Sequence, residues 1–250
     1  MRAIILGSGS KGNSTLLIGK KKKILIDVGF SYPKMMKLLE SFAVEPKDID
    51  AILITHTHKD HIGGLATFIK KNHTPVYTNQ MMYSELLTVI SDDVMIINDD
   101  DFSIDEFQIE VIHTSHDAPG SVGFVINADG RSLVYVTDTG YINQTYLRRL
   151  KNKNVYIFES NHDTKMLMEG PYPYMLKQRV VSDKGHLSNE QSGNYLKELI
   201  GNETKKIILA HLSETNNTSE IALKTVKDIL KTNTFVETAF QDEAVDVGEI

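Results

Sequence analysis

The 250-residue chain has no cysteine and no tryptophan. Disulfides are therefore impossible, and any metal has to be held by histidine and carboxylate rather than thiolate. Long apolar runs are missing too. Nothing approaches the roughly 20 apolar residues of a membrane span, and the opening MRAIILG stops at glycines before it takes signal-peptide form. The expected location is cytoplasmic. An excess of positive charge is also absent: 27 Lys and Arg face 33 Asp and Glu, a net −6. No global basic signature for nucleic acid or membrane exists, so a polyanionic substrate would have to be attracted locally. The remainder is ordinary for a globular protein, with 41% hydrophobic and 24% charged residues. No repeat or low-complexity linker interrupts the chain, which reads as one domain over residues 1–250.

The stretch IILGSGSKGNS, residues 4–14, places Gly7, Gly9 and Gly12 in a G-x-G-x-x-G pattern. A nucleotide fingerprint needs a helix to open directly after the glycines, because the helix N-terminus holds the phosphates. Here STLLIGKKKKILIDVGF follows, which reads as strand, turn, strand. A Walker loop needs Lys and then Ser or Thr after its last glycine, and Gly12 is followed by Asn13. A tight turn is the expectation. Lys20 to Lys23 mark the tip of the next hairpin, read as a solvated turn or else a non-specific phosphate contact.

Apolar patterning predicts strands at 2–6, 14–18, 23–27, 51–54, 75–77, 107–113, 121–126, 132–136, 155–158, 206–210 and 235–237. It predicts helices at 32–42, 62–70, 79–89, 143–151, 188–200 and 217–231. Ser188 with Gln191 forms a capping-box signal. Many strands with helices between them suggest two sheets sandwiched by helices, an α/β class.

Nine histidines are present, and THTHKDH gathers His56, His58 and His61 with Asp60. It follows the apolar AILI and precedes a helical stretch. Such a cluster makes poor core, because imidazoles and a carboxylate need partners there. It suits Zn, Mn or Fe. On an extended chain His56 and His58 face one side together, while Asp60 and His61, past the bend, can face a second ion. His116, Asp138 and His211 each follow an apolar run at the start of a loop. Strand ends converge on one rim of a sheet, so these distant residues can meet.

The order LIDVG, THTHKDH, His116, Asp138, His211 resembles the metallo-β-lactamase fold superfamily, over most of the chain. The resemblance implies an αββα four-layer sandwich with a dinuclear site on one edge. It implies that His56, His58 and His116 hold one ion, that Asp60, His61 and His211 hold the other, and that Asp138 bridges them. Asp27 would hydrogen-bond a ligand and fix its orientation. The glycine turn would lie beside the metals, where Ser8, Ser10 and Asn13 could donate to a substrate phosphate. Two divalent ions, Mn or Zn with Fe possible, would activate a water for attack on a phosphodiester, ester, thioester or lactam. Flavodiiron proteins share the fold but carry His-x-Glu-x-Asp where His58 and Asp60-His61 stand here.

SDKGHLSNEQSGNYL, 182–196, resembles a motif of the tRNA 3′-processing and β-CASP nucleases. That likeness implies His186 as general acid, with Glu159 of FESNHD as its hydrogen-bond partner. The expected catalytic residues are His186, Asp60 and Glu159. Only 47 residues separate Asp138 from His186, too few for a β-CASP domain, and no long tRNA-gripping arm is present. HDTKMLMEGPYPYMLKQRVVSDKGHLS, with GSGSKGNS and SHDA, is instead similar to the YycJ/VicX/WalJ group of bacterial metallohydrolases. These are encoded beside a cell-wall two-component system and linked to DNA 5′-to-3′ exonuclease activity. The resemblance implies a DNA exonuclease in which a metal-bound hydroxide attacks phosphorus and His186 protonates the leaving oxygen. It also raises a functional link to that signalling system. Tyr172, Tyr174, Lys177 and Arg179 would form a lip, aromatics stacking bases and cations holding the backbone, unless this segment is a Pro-rigid loop packing its own Met and Tyr. His73 and His113 read as structural or exposed, and His162 has no assigned role. The alternatives are an RNA or cyclic-nucleotide phosphodiesterase, a glyoxalase II-like ester hydrolase, and a non-enzymatic regulator.

Overall fold

A computed structural model describes residues 1–250. The glycine pattern opens no helix: β1 (Arg2–Gly7), β2 (Ser14–Ile18) and β3 (Lys23–Ile26) run as an antiparallel ladder. The turn after β1 is tight. A Cβ at Gly12 would stand 2.5 Å from the Phe30 ring, and the residue has a φ of +156°, so only glycine fits there. Then come α1 (Tyr32–Glu40), β4 (Ala51–Leu53), α2 (Lys59–Ile62), α3 (Leu65–Asn72), β5 (Val76–Thr78), α4 (Gln80–Leu86) and β6 (Met95–Ile97). The next stretch holds β7 (Phe102–Ile104), β8 (Phe107–His113), β9 (Val122–Ala128), β10 (Arg131–Val136), α5 (Gln144–Leu150) and β11 (Val155–Glu159). The last holds α6 (Thr164–Glu169), α7 (Tyr174–Val181), α8 (Asn189–Leu199), β12 (Lys206–Ala210), α9 (Ser219–Leu230), β13 (Phe235–Thr238) and β14 (Val245–Glu249).

Two seven-stranded sheets result, in the orders β14-β1-β2-β3-β4-β5-β6 and β13-β12-β11-β10-β9-β8-β7. Each is mixed: β3 to β6 pair in parallel, as do β10 to β13, and the other neighbours are antiparallel. Strand alternation builds the layers. Leu133, Tyr135, Val155, Ile157 and Ile208 join the core shared with the first sheet and with α1, α3 and α4. Their neighbours Val134, Val136, Tyr156, Phe158 and Ile207 join a separate core with α5, α8 and α9. Helix, sheet, sheet, helix is the αββα order expected from the sequence. No helix is long and apolar enough to cross a membrane.

The differences from the sequence reading have local causes. The helix expected at 62–70 begins instead at Leu65 as α3, after Gly63 and Gly64 separate it from the short α2. β6 and β7 span three residues each, too short for a period to show, and β14, VDVGE, is a polar edge strand. The segment expected to form a lip or, alternatively, a Pro-rigid loop contains two helices. Asp163 caps the first, its carboxylate accepting the Met166 N–H at 2.8 Å. Pro173 sits at the entrance of the second, where its missing N–H costs nothing. The Lys20–Lys23 turn offers no free cation for phosphate: the four lysines face Asp129, Asp105, Asp50 and Asp48 in turn.

Candidate metal centre

The chain exits of β3, β4, β8, β10, β11 and β12 meet on one edge of the sandwich. Asp27 follows β3, the His56–His61 stretch follows β4, His116 follows β8 and Asp138 follows β10. Glu159 ends β11 and His211 follows β12. Asp27, Asp138 and His211 have left-handed backbones, φ 61°, 54° and 57°. A non-glycine residue held there costs about 1–3 kcal/mol and persists only where its surroundings fix it. They do. Thr55 donates its N–H and Oγ–H to Asp27 at 2.8 and 2.7 Å. The His211 N–H goes to Ser8 Oγ, and its carbonyl takes an N–H of Asn161, both at 2.9 Å.

These exits gather donor atoms into sets. The ring nitrogens of His56, His58 and His116 lie within 4.8 Å of one another, and so do the donor atoms of Asp60, His61 and His211. Asp138 stands between them, Oδ2 3.3 Å from His61 Nε2 and Oδ1 3.9 Å from His116 Nε2. The surrounding bonds choose the tautomers. Asp27 takes the Nδ1–H of His61 at 2.7 Å, Glu159 that of His211 at 3.1 Å, and the Gly185 carbonyl that of His116 at 3.3 Å. Thr55 Oγ1, its own proton given to Asp27, accepts from His56 Nδ1 at 3.1 Å. In all four rings the Nε2 lone pair is turned toward the shared space. His58 is reversed, with Nδ1 toward His116 and Nε2 3.6 Å from Asp117 Oδ1.

The residues fit divalent cations. His56 Nε2, His211 Nε2 and Asp138 Oδ2 are buried without a hydrogen-bond partner. Each such atom costs about 1–3 kcal/mol unless something meets it, and all three face the same small volume. Charge points the same way. Burial alone would push His61 and His211 down, yet Asp138 and the other carboxylates around them outweigh it; both are raised, His211 well above its ordinary value. His56 goes the other way, lowered by burial and by four neighbouring histidines. Burial opposes the charge on Asp60 and Asp138, but the imidazoles around them hold both carboxylates below the usual range. The cluster calls for positive charge at its centre.

Beside it stands His186, 19% exposed in its side chain, with Nδ1 2.7 Å from Glu159 Oε1. Glu159 is fully buried. Burial opposes its charge, but His186 and His211 hold it well below the usual carboxylate range.

Residues 22–212 match the beta-lactamase superfamily domain. The chain is 39% identical over 229 residues to exodeoxyribonuclease WalJ of Streptococcus pneumoniae serotype 2 (strain D39 / NCTC 7466), covering 89% of this chain and 85% of that one. It is 35% identical over 248 residues to exodeoxyribonuclease YycJ of Bacillus anthracis, covering 97% and 94%. This chain belongs to the WalJ/YycJ group of the beta-lactamase superfamily. Among solved structures, the metallo-beta-lactamase fold protein YhfI from Bacillus subtilis superposes with a TM-score of 0.74 at 18% identity, over 98% of this chain and all of that one, a likeness of fold.

On this superfamily frame the remaining residues expected at the site take different places. A cavity of about 270 Å³ opens over the cluster, and Ser10, Tyr172 and Arg179 line it with His186. Tyr174, 73% exposed, and Lys177, whose Nζ donates to the Met168 carbonyl, are not among its lining residues. Ser8 and Asn13 are buried. Ser8 supports His211, while the Asn13 amide reaches Asp60 Oδ2 at 3.2 Å and stands 3.0 Å from His61 Nε2. The glycine turn therefore meets the site through its interior side chains. Thr55, Asp117, Asn161 and Lys184 also belong here and carry no distinctive spacing. Thr55 lies inside THTHKDH and Asp117 inside SHDA, so adjacency to the histidines was the available signal.

Proposed function

We propose that this chain is a metal-dependent hydrolase of nucleic-acid phosphodiesters, acting on DNA as a 5′-to-3′ exonuclease. The observation that carries the reading is His186 held at 2.7 Å by buried Glu159 beside the His/Asp cluster, in a chain related to two exodeoxyribonucleases over most of its length. His56, His58 and His116 would hold one divalent ion, Asp60, His61 and His211 the other, with Asp138 between, and Mn and Zn both suit these ligands. Bound there, two such ions would offset charge on the scissile phosphate and acidify an attacking water.

The chain's own residues do the rest. Glu159 accepts the Nδ1–H of His186, so Nε2 is the nitrogen free to pass a proton to the leaving oxygen. The same carboxylate orients His211, which ties the acid to the ligand set. Asp27 and the Gly185 carbonyl fix His61 and His116 in the tautomer that offers Nε2. Tyr172 lines the cavity, and its ring would stack on an unstacked terminal base.

The test uses metal-reconstituted protein with 5′-phosphorylated duplex DNA, the matching RNA and a small phosphodiester, in Mn²⁺, beside Asp138→Asn and His186→Ala. Stepwise release of 5′ nucleotides from DNA, lost in Asp138→Asn and about 10²- to 10⁴-fold slower in His186→Ala, supports the reading. Inert DNA with a cleaved small ester overturns the nuclease assignment. Equal loss of DNA cleavage and of small-phosphodiester cleavage in His186→Ala counts against its role as the acid.

A further inference from the structure

The cavity wall holds cations that neither the ligand sets nor His186 uses. Arg179, in the last turn of α7, gives its Nε to Asp117 Oδ2 at 2.5 Å, and its two terminal nitrogens have no partner in the protein. Asp117 is itself anchored at the rim of the cluster, Oδ1 3.4 Å from His116 Nε2 and 3.6 Å from His58 Nε2. The guanidinium is thus gripped at one corner beside the metal centre, with its fork left open. A fork held this way suits two oxygens of a phosphate.

Lys184 lines the same cavity and forms no ion pair, whereas Lys11, from the glycine turn, is neutralised by Glu214 at 2.8 Å. The turn that carries Lys184 is firmly set. The Gly185 N–H bonds the Ser182 carbonyl at 2.8 Å, and the His186 N–H bonds the Val180 carbonyl at 2.9 Å. A Cβ at Gly185 would stand 2.1 Å from the Val180 carbonyl oxygen, so the backbone is packed closely against the end of α7. Lys184 therefore projects from a fixed point two residues before His186. In a chain of net charge −6, the unpaired amine of Lys184 and the open fork of Arg179, whose one partner is Asp117, are donors beside the reaction centre.

We propose that Arg179 and Lys184 form a second phosphate subsite, with Asp117 as the positioning residue for Arg179. This rests on the nuclease reading. A scissile phosphate has to lie against the ligand cluster and His186, so cations set to one side of it meet a different phosphate of the same strand, on its 5′ or its 3′ side. The enzyme would then select substrates carrying two neighbouring phosphates over a lone phosphodiester.

Three thymidine dinucleotides test this: one with the single internal phosphate, one with an added 5′-phosphate and one with an added 3′-phosphate. The expected result is that one added phosphate raises kcat/KM roughly ten- to hundredfold, through KM, in line with charge-assisted hydrogen bonds. The arm that gains tells which neighbouring phosphate is read. Arg179→Gln and Lys184→Gln should each remove most of that gain. Lys224→Gln, which deletes the same charge from α9, should keep it. Cleavage of all three at equal efficiency, or a gain that persists in both variants, overturns the subsite and leaves the nuclease reading standing. Turnover of bis(p-nitrophenyl) phosphate with no dinucleotide cleaved overturns both.

Discussion

Replacing Glu159 by glutamine changes one atom at the point where the proposed site is most constrained. The carboxylate is fully buried and accepts four hydrogen bonds: Oε1 from His186 and His211 at 2.7 and 3.1 Å, Oε2 from the backbone N–H groups of Thr139 and Leu187 at 3.0 Å each. A glutamine amide offers an oxygen on one side only. With its NH₂ toward the backbone, two N–H groups face a donor. At about 1–3 kcal/mol for each unsatisfied group, the loss is about 2–6 kcal/mol, against a total of about 5–15 kcal/mol for a folded protein. With its NH₂ toward the imidazoles, both rings must move their proton to Nε2 to accept it. For His211 that puts an N–H where a lone pair should face a cation, and loss of such a supporting partner weakens metal affinity about 10- to 100-fold. Urea denaturation of metal-free protein and calorimetric titration with Zn²⁺ or Mn²⁺ read the two outcomes. Wild-type values in both would refute the reasoning, because no orientation of the amide serves all four donors.

Gly29→Ala should unfold or empty the site: the added Cβ would lie 1.8 Å from the Asp60 carbonyl oxygen and 2.6 Å from Asn13 N, beyond the roughly 1–3 kcal/mol of ordinary overpacking. Native urea stability and normal DNA cleavage in this variant would sink the close-approach argument. Burial pushes His162, 2% exposed, down to about 4 from 6.5. The unfolded imidazole then takes a proton that the folded one refuses, so this stabilisation is complete above pH 6.5 and drains away toward pH 4, by up to about 3 kcal/mol. His162→Gln should flatten the urea stability curve over that window; an unchanged slope counts against it. Chelation with EDTA should lower Tm, since metal at a hundredfold excess over Kd adds about 2.7 kcal/mol per site, or about 5–11 °C at this chain size. A Tm indifferent to EDTA and to added Mn²⁺ would argue that no ion is held.

The layered fold was legible because β10, β11 and β12 are apolar runs of five or six residues, buried along most of their length and set between helical stretches. α6 and α7 were not, because Gly170, Pro171 and Pro173 punctuate that segment and mask two short helices. At the site, the convergence of THTHKDH with His116, Asp138 and His211 followed from strand ends alone. The left-handed backbones of Asp27, Asp138 and His211 did not, since aspartate and histidine carry no mark of φ as glycine does. Nor did the second hydrogen bond of Glu159, to His211: FESNHD offered a partner for His186, but His211 lies 52 residues away in the chain. Asn13 illustrates the same limit. Its residue type suits a substrate contact, and only packing turns its amide inward to Asp60 and His61.

The two sheets contribute unequally typed but interlocked halves of the proposed site. His56, His58, Asp60 and His61 come from the chain exit of β4 in the first sheet; His116, Asp138 and His211 come from exits in the second. Neither proposed ion is complete within one half. His116 is needed with His56 and His58, and His211 with Asp60 and His61. The side-chain bonds that set the tautomers stay within a half, Asp27 to His61 in one and Glu159 to His211 in the other, while Ser8 of the first half takes the His211 backbone N–H across the seam. Each half can therefore set its own tautomers as it folds, while cation binding acts across the seam. Three buried atoms without protein partners sit at that seam, so the carboxylates and imidazoles gathered there work against the docking of one sheet on the other until positive charge arrives. On this arrangement, ions bound for the proposed chemistry would also fasten the two halves of the sandwich together at that edge.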